Sequence, residues 1–234
     1  MDIKVAKSAG FCFGVSRAMK LAEELADSGK KVTTLGPIIH NPQAVAALEK
    51  KGVTVANSLC DCEKESTVVI RSHGVPKSVY DELKKRNLEY EDATCPFVEK
   101  IHRIVENASA KGDIILIAGD KNHPEVEGIM GFAATPVFVF ENLDELHNIL
   151  NNIPNYQKNS VTAVSQTTFD SILWKKSEKF IEKVCTNAKI FDTICDATQR
   201  RQSEAAEIAA MVDAMVVVGD GKSANTRHLA EICR

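Results

Sequence analysis

The sequence predicts an α/β protein of three pseudo-repeated α/β lobes, with mainly parallel sheets around a central cluster site and the third lobe incomplete. Three observations carry this expectation. Apolar runs of strand length alternate with helical patterns along the chain, the rhythm of parallel sheets with crossover helices. Three segments share one layout counted from a cysteine. The composition is that of an ordinary folded chain: 234 residues, 44% hydrophobic, 26% charged, formal net charge −3.

Strand-length runs occur at KKVTTL, TVVIRS, DIILIAG, PVFVF, VTAVS, KIFDTI and AMVVVG, and the start, MDIKVAKSAGFCFG, reads as a strand entering a loop. Helical patterns occupy 16–26, 43–51, 77–86, 98–111, 170–185 and 202–211. The only loop-rich interval is NNIPNYQKN, 151–159. Cys12, Cys95 and Cys195 each precede a helix and a strand, and then a glycine 24 residues on: Gly36, Gly119 and Gly219. A polar residue follows at offset 28: His40, His123 and Ser223. Any α/β unit repeats a helix and a strand, but that rhythm does not explain matched cysteines and polar residues. The first unit continues to a strand ending at His73, and the second to one ending at Gln166, Thr167 and Thr168. The third has only TRHLAEICR after Ser223. The expected lobes are therefore 1–94, 95–194 and a partial third, 195–234.

Several function classes drop out. With 29 Lys+Arg against 32 Asp+Glu there is no basic excess to support nucleic-acid binding. No apolar run reaches the roughly 18 residues of a membrane span. The first residues lack the apolar core of a signal peptide, so a cytoplasmic location and seven cysteines free of structural disulfides are expected. GKS at 221–223 lacks the earlier glycine of a nucleotide P-loop, because position 216 is valine.

Three cysteines at equivalent positions cannot all pair as disulfides, and no CxxC marks a zinc site. An iron–sulfur cluster needs thiolates without obligatory local spacing, and three would leave one iron without a protein thiolate. Such a centre is a Lewis acid on an electron store, suited to reductive removal of a bound oxygen. Cys60, Cys62, Cys185 and Cys233 share no repeat position and are read as ordinary residues. His40, His73 and His123 follow strands, where loops project from the carboxyl edge of a parallel sheet. With Thr167, Thr168, Ser223 and Asn225 they form a donor-rich pocket suited to a phosphorylated small molecule. His102, His147 and His228 fall in helical patterns and are read as surface or packing residues. Glu125, two residues after His123, can deliver a proton if burial raises its pKa; Glu127 is expected to face elsewhere.

In combination, AGFCFGVSRA, GPIIHNP, RSHGV, DATCP, NHPEVEG, SQTT, CDATQRRQ and the VVVG…SAN segment resemble the 4-hydroxy-3-methylbut-2-enyl diphosphate reductase family over the whole chain. The resemblance implies a three-lobed protein around a [4Fe-4S] cluster, with Cys12, Cys95 and Cys195 as its ligands. It implies that His40, His73, His123, Ser223 and Asn225 line the substrate's diphosphate. It places Glu125 and Thr167 on the proton route to the substrate hydroxyl, and ferredoxin or flavodoxin as electron donor. The products would be isopentenyl and dimethylallyl diphosphate, in the non-mevalonate isoprenoid pathway. Ala224 stands where the family often has a serine. Family members also continue through the rest of the third lobe, with a further diphosphate-binding serine. The sequence is therefore expected to be a fragment, or to leave the pocket open on one side. Two other readings stay open: a phosphometabolite-binding or redox-sensing module without turnover, and a zinc-dependent hydrolase.

Overall fold

In a computed structural model, residues 2–154 and 156–234 are described; Met1 and Asn155, the latter inside the loop-rich interval, lie outside them. Two four-stranded sheets, parallel throughout, form the frame. The first contains β1 (Val32–Leu35), β2 (Thr54–Ala56), β3 (Thr67–Ile70) and β4 (Tyr90–Asp92), in the order β2-β1-β3-β4. The second contains β5 (Ile114–Ala118), β6 (Val137–Phe140), β7 (Ser160–Ser165) and β8 (Asn187–Ile190), in the equivalent order β6-β5-β7-β8. The repeat read from the cysteines is thus a repeat of topology in the first two units.

The central strands are the continuous apolar runs. TVVI of β3 is fully buried, as is all of IILIA in β5 except its first residue. Burial on both faces is the signature of a parallel sheet covered by helices. The covering helices are α1 (Phe13–Asp27), α2 (Pro42–Lys50) and α3 (Lys77–Lys85) in the first unit. The second has α4 (Pro96–Ser109), α5 (Pro124–Met130), α6 (Leu143–Asn152) and α7 (Ser171–Val184). α4 shows why they form. Pro96 opens the helix with a fixed φ where no N–H is needed, and Val98, Ile101, His102, Val105 and Ala108 make one buried stripe. The largest fully buried side chain, Trp174 of α7, packs with Phe140, Leu146 and Ile181 in the second unit's core.

The third unit differs from the sequence expectation. It contributes α8 (Asp196–Ala209) and α9 (Ala224–Ile232), but AMVVVG forms no strand. Val216 and Val218 are 87% and 90% exposed. No other strand lies against this run, and an unpaired strand leaves its amides and carbonyls without a ladder. The same holds at the other end of the chain. Ile3 and Val5 are exposed, and residues 2–12 form no strand, with a turn at Lys7 and Ser8. KIFDTI is a strand only as far as Ile190. Among the described residues no helix is long and apolar enough to cross a membrane.

Candidate functional site

The three repeat cysteines occupy one structural position. Cys12, Cys95 and Cys195 are the N-caps of α1, α4 and α8, and none of the three sulfurs makes a capping hydrogen bond. The helices begin directly after them, several residues earlier than the apolar periodicity alone indicates. A helix N-terminus carries partial positive charge and favours an anionic sulfur. All seven cysteines are free thiols.

Main-chain bonds tie these caps to the strand ends that carry the polar candidates. The Cys95 amide donates to the Ser72 carbonyl at 3.0 Å, beside His73. The Cys195 amide donates to the Thr167 carbonyl at 3.1 Å. Arg17 of α1 donates to the Thr94 and Asp92 carbonyls at 3.0 and 3.3 Å, holding the Cys12 helix against the loop before Cys95. The approach is close enough that a Cβ at Gly14 would stand 2.5 Å from the Cys95 sulfur.

Burial pushes the Cys95 and Cys195 thiols up. For Cys95 the nearby amides of Phe97 and Val98 offset part of this, and for Cys195 Thr198 does so, its Oγ1 lying 3.2 Å from the sulfur. The charges of Cys12 and Glu125 act on both and oppose thiolate formation. Such thiols become thiolates when a metal supplies the positive charge. The sulfurs do not converge on one ion. Three thiolates on a single zinc, each at about 2.3 Å, would lie within about 4.6 Å of one another. Yet among the described residues the only three-residue donor set within 4.8 Å is His40, His73 and His123. The cysteines are therefore not gathered as a mononuclear site requires; a polynuclear iron–sulfur centre, whose thiolates sit on different irons, does not require it.

The three histidines form a tight cluster, with ring centroids 4.4, 5.4 and 5.5 Å apart. His123 caps α5: its Nδ1 accepts the Glu125 amide at 3.1 Å, which leaves Nε2 as the N–H. His40 Nε2 and His73 Nδ1 are buried without partners. Burial lowers all three pKa values, that of His123 to about 4 and that of His73 well below the ordinary range. The trio is therefore neutral at pH 7. Arg71 adds to the effect on each, and Arg227 and Lys222 act on His40.

Glu125 is 3% exposed and accepts from the Thr167 amide at 2.6 Å and from Thr167 Oγ1 at 2.8 Å. Burial raises its pKa to about 7, against the two Thr167 bonds, which lower it. Glu127 is exposed, as expected. On the third unit, Ser223 caps α9, accepting the Thr226 amide at 3.4 Å, and Asn225 Oδ1 is buried without a partner. Arg227 pairs with Asp120 at 3.1 Å, and His228 Nδ1 lies 2.6 Å from the Thr168 carbonyl, so α9 docks beside the His123 and Thr167 loops. Gln166 donates to Thr168 Oγ1 at 3.1 Å.

Sequence reasoning did not single out Arg17 or Arg71. Arg71 lies inside RSHGV, and the only signal was a cation one residue from a strand end. His102 is a packing residue, stacked on Phe132 with centroids 4.2 Å apart. His147 is exposed, and Cys185 is part of the core.

A protein-family model described as LytB protein matches residues 3–234. A relative from Clostridioides difficile (strain 630), named 4-hydroxy-3-methylbut-2-enyl diphosphate reductase, is 42% identical over all of this chain and 82% of its own length. One of the same name from Trichlorobacter lovleyi (strain ATCC BAA-1151 / DSM 17278 / SZ) is 44% identical over all of this chain and 81% of its own length. A solved structure of (E)-4-hydroxy-3-methyl-but-2-enyl diphosphate reductase, described as the terminal enzyme of the non-mevalonate pathway, superposes with TM-score 0.74. It is 39% identical, over 99% of this chain and 81% of that one. The E-1-hydroxy-2-methyl-but-2-enyl-4-diphosphate reductase from Plasmodium falciparum superposes with TM-score 0.87. It is 29% identical, over 96% of this chain and 70% of that one.

Proposed function

The chain belongs to the LytB protein family, whose named relatives are reductases, and from that premise we propose that it reductively removes the hydroxyl of (E)-4-hydroxy-3-methylbut-2-enyl diphosphate. The products would be isopentenyl and dimethylallyl diphosphate. One observation carries the reading: the buried Glu125–Thr167 pair, poised near neutral pH, stands between the histidine cluster and the cysteine caps.

Cys12, Cys95 and Cys195 would hold a [4Fe-4S] cluster. When bound, that group supplies electrons one at a time and an iron free of protein thiolate. The chain's own residues bind and protonate. The Nε2–H of His123 and the unpartnered nitrogens of His40 and His73 face the diphosphate, with the Ser223 hydroxyl and the Asn225 side chain completing the polar wall. Neutral imidazoles bind the anion by donation, and its charge draws protons onto them.

Breaking the C–O bond reductively consumes two electrons and two protons, one proton leaving with the oxygen as water and one ending on carbon. Burial raises the Glu125 pKa to about 7, so a proton is available on it near neutral pH. Its proton passes to Thr167 Oγ1, which in turn donates to the departing hydroxyl. The electrons come from ferredoxin or flavodoxin.

Anaerobic purification with iron and sulfide analysis tests this, followed by substrate turnover with a chemical one-electron reductant. About four irons and four sulfides per chain, with consumption of the allylic diphosphate, are expected. Zinc without sulfide would favour a hydrolase, and a cluster with ligand binding but no turnover would favour a sensor or binding module.

A further inference from the structure

Residues 2–12, which lead into Cys12, form no helix or strand, and most are exposed. Yet five hydrogen bonds from this strap end on two side chains of α8, the helix capped by Cys195. Glu204 accepts the Lys7 amide at 2.7 Å, the Ser8 amide at 2.8 Å and the Ser8 hydroxyl at 2.5 Å. Arg201, one turn earlier on the same face, donates to the Ser8 carbonyl at 3.1 Å and the Gly10 carbonyl at 2.6 Å. The carboxylate thus takes the strap's donors and the guanidinium its acceptors, at consecutive residues. A chain segment without a ladder of its own has been given one by a helix surface.

We propose that Arg201 and Glu204 are positioning residues that fix Cys12 relative to Cys195, so that retention of the cluster depends on this clamp. The inference rests on the reading of the three cysteines as cluster ligands. Cys12 follows Gly10 by two residues, and Cys195 precedes Arg201 by six on the same helix. Arg17 already holds the α1 side of Cys12 against the Cys95 loop. The strap clamp supplies the missing edge of the triangle, from Cys12 to Cys195. Without it the hydrogen bonds near Cys12, among the described residues, reach only the Asp92–Thr94 stretch before Cys95, through Arg17. One ligand would then exchange more freely than the others.

The test is the rate of cluster loss to an iron chelator, followed by visible absorption under anaerobic conditions, in the holoprotein and in Glu204→Gln and Arg201→Gln. Glu204 is solvent-accessible, so both variants are expected to fold, with unchanged melting temperatures. Cluster loss should accelerate by about threefold to tenfold, the scale of charge-assisted hydrogen bonds near a surface. Hydrogen exchange at residues 7–12 should rise in the cluster-free variants as well, a readout independent of activity. Ser8→Ala should produce part of the effect and add nothing on top of Glu204→Gln, as contacts in one network do. Cluster loss unchanged in both variants would overturn the proposal. Loss that rises only in step with a fallen melting temperature would also overturn it, leaving a structural role. A parent protein that takes up no iron and sulfide would remove the cluster reading, and this inference with it.

Discussion

Replacing Glu125 by glutamine changes one oxygen for an NH₂ group in a fully enclosed site, and its effect on stability should depend on pH with a known sign. The folded pKa is about 7 against 4.5 for an ordinary glutamate, because burial disfavours the ionised form more than the two Thr167 donors favour it. A difference of this size makes ionised Glu125 about 3 kcal/mol less compatible with the fold. Below pH 4.5 the carboxyl is protonated in both folded and unfolded chains, and nothing is lost. As pH rises from there the unfolded chain ionises first, so folding is progressively disfavoured until the pH passes about 7. Glutamine has no such term. Its Oε1 can accept the Thr167 amide while its NH₂ donates to Thr167 Oγ1, a hydroxyl that accepts as well as donates. The variant should therefore gain about 2 kcal/mol on the parent between about pH 5.5 and about pH 8. Urea denaturation of the cluster-free proteins across this range measures the gap. In the loaded protein, turnover should fall by about 10²–10⁴, and the parent's turnover should decline as pH rises through about 7. Parallel stability profiles would show that Glu125 ionises like a surface glutamate, and normal turnover by the variant would remove it from the proton route.

Binding of inorganic pyrophosphate near pH 7 should draw protons onto the protein, because all three histidines start neutral and an anion raises their pKa values. Calorimetry in two buffers of different ionisation heat reads the uptake, and heats independent of buffer would overturn the expectation that the bound anion draws protons onto the histidines. Ala224→Ser restores a hydroxyl beside Ser223 and Asn225 at a position 3% exposed. One added neutral hydrogen bond of about 0.5–1.5 kcal/mol should lower KM for the allylic diphosphate about twofold to tenfold with kcat little changed. An unaltered KM would mean that this helix start does not reach the diphosphate.

The architecture was legible where sequence and packing state the same fact. A buried parallel strand must be apolar on both faces, so TVVI and IILIA announce themselves. Three cysteines at one offset could be read as equivalent because each opens a helix, and the structure finds all three as N-caps. The edge strands β2 and β4 were not legible: TVA and YED are three residues long, partly exposed and without an apolar run. AMVVVG failed in the opposite way. Its composition asks for a covered, paired environment, but a sequence cannot say whether the neighbour is there. The clustering of His40, His73 and His123 follows from the rule that loops after parallel strands gather at one edge, and the candidate Glu125 from its place two residues after His123. Arg17, Arg71, Arg201 and Glu204 do not, since surface cations and carboxylates are common and only the fold reveals what they hold.

The two main-chain hydrogen bonds that join Cys95 to Ser72 and Cys195 to Thr167 have a consequence for the protein's life in air. Under the proposed function one stretch of main chain would carry ligands of the cluster and groups that bind the diphosphate, and the two bindings would then be coupled. Thermodynamic linkage makes this mutual: whatever tightens one end must tighten the other by an equal free energy. On that proposal a protein with its pocket filled would also be one whose metal is harder to strip, and damage by oxygen should fall first on the molecules left idle.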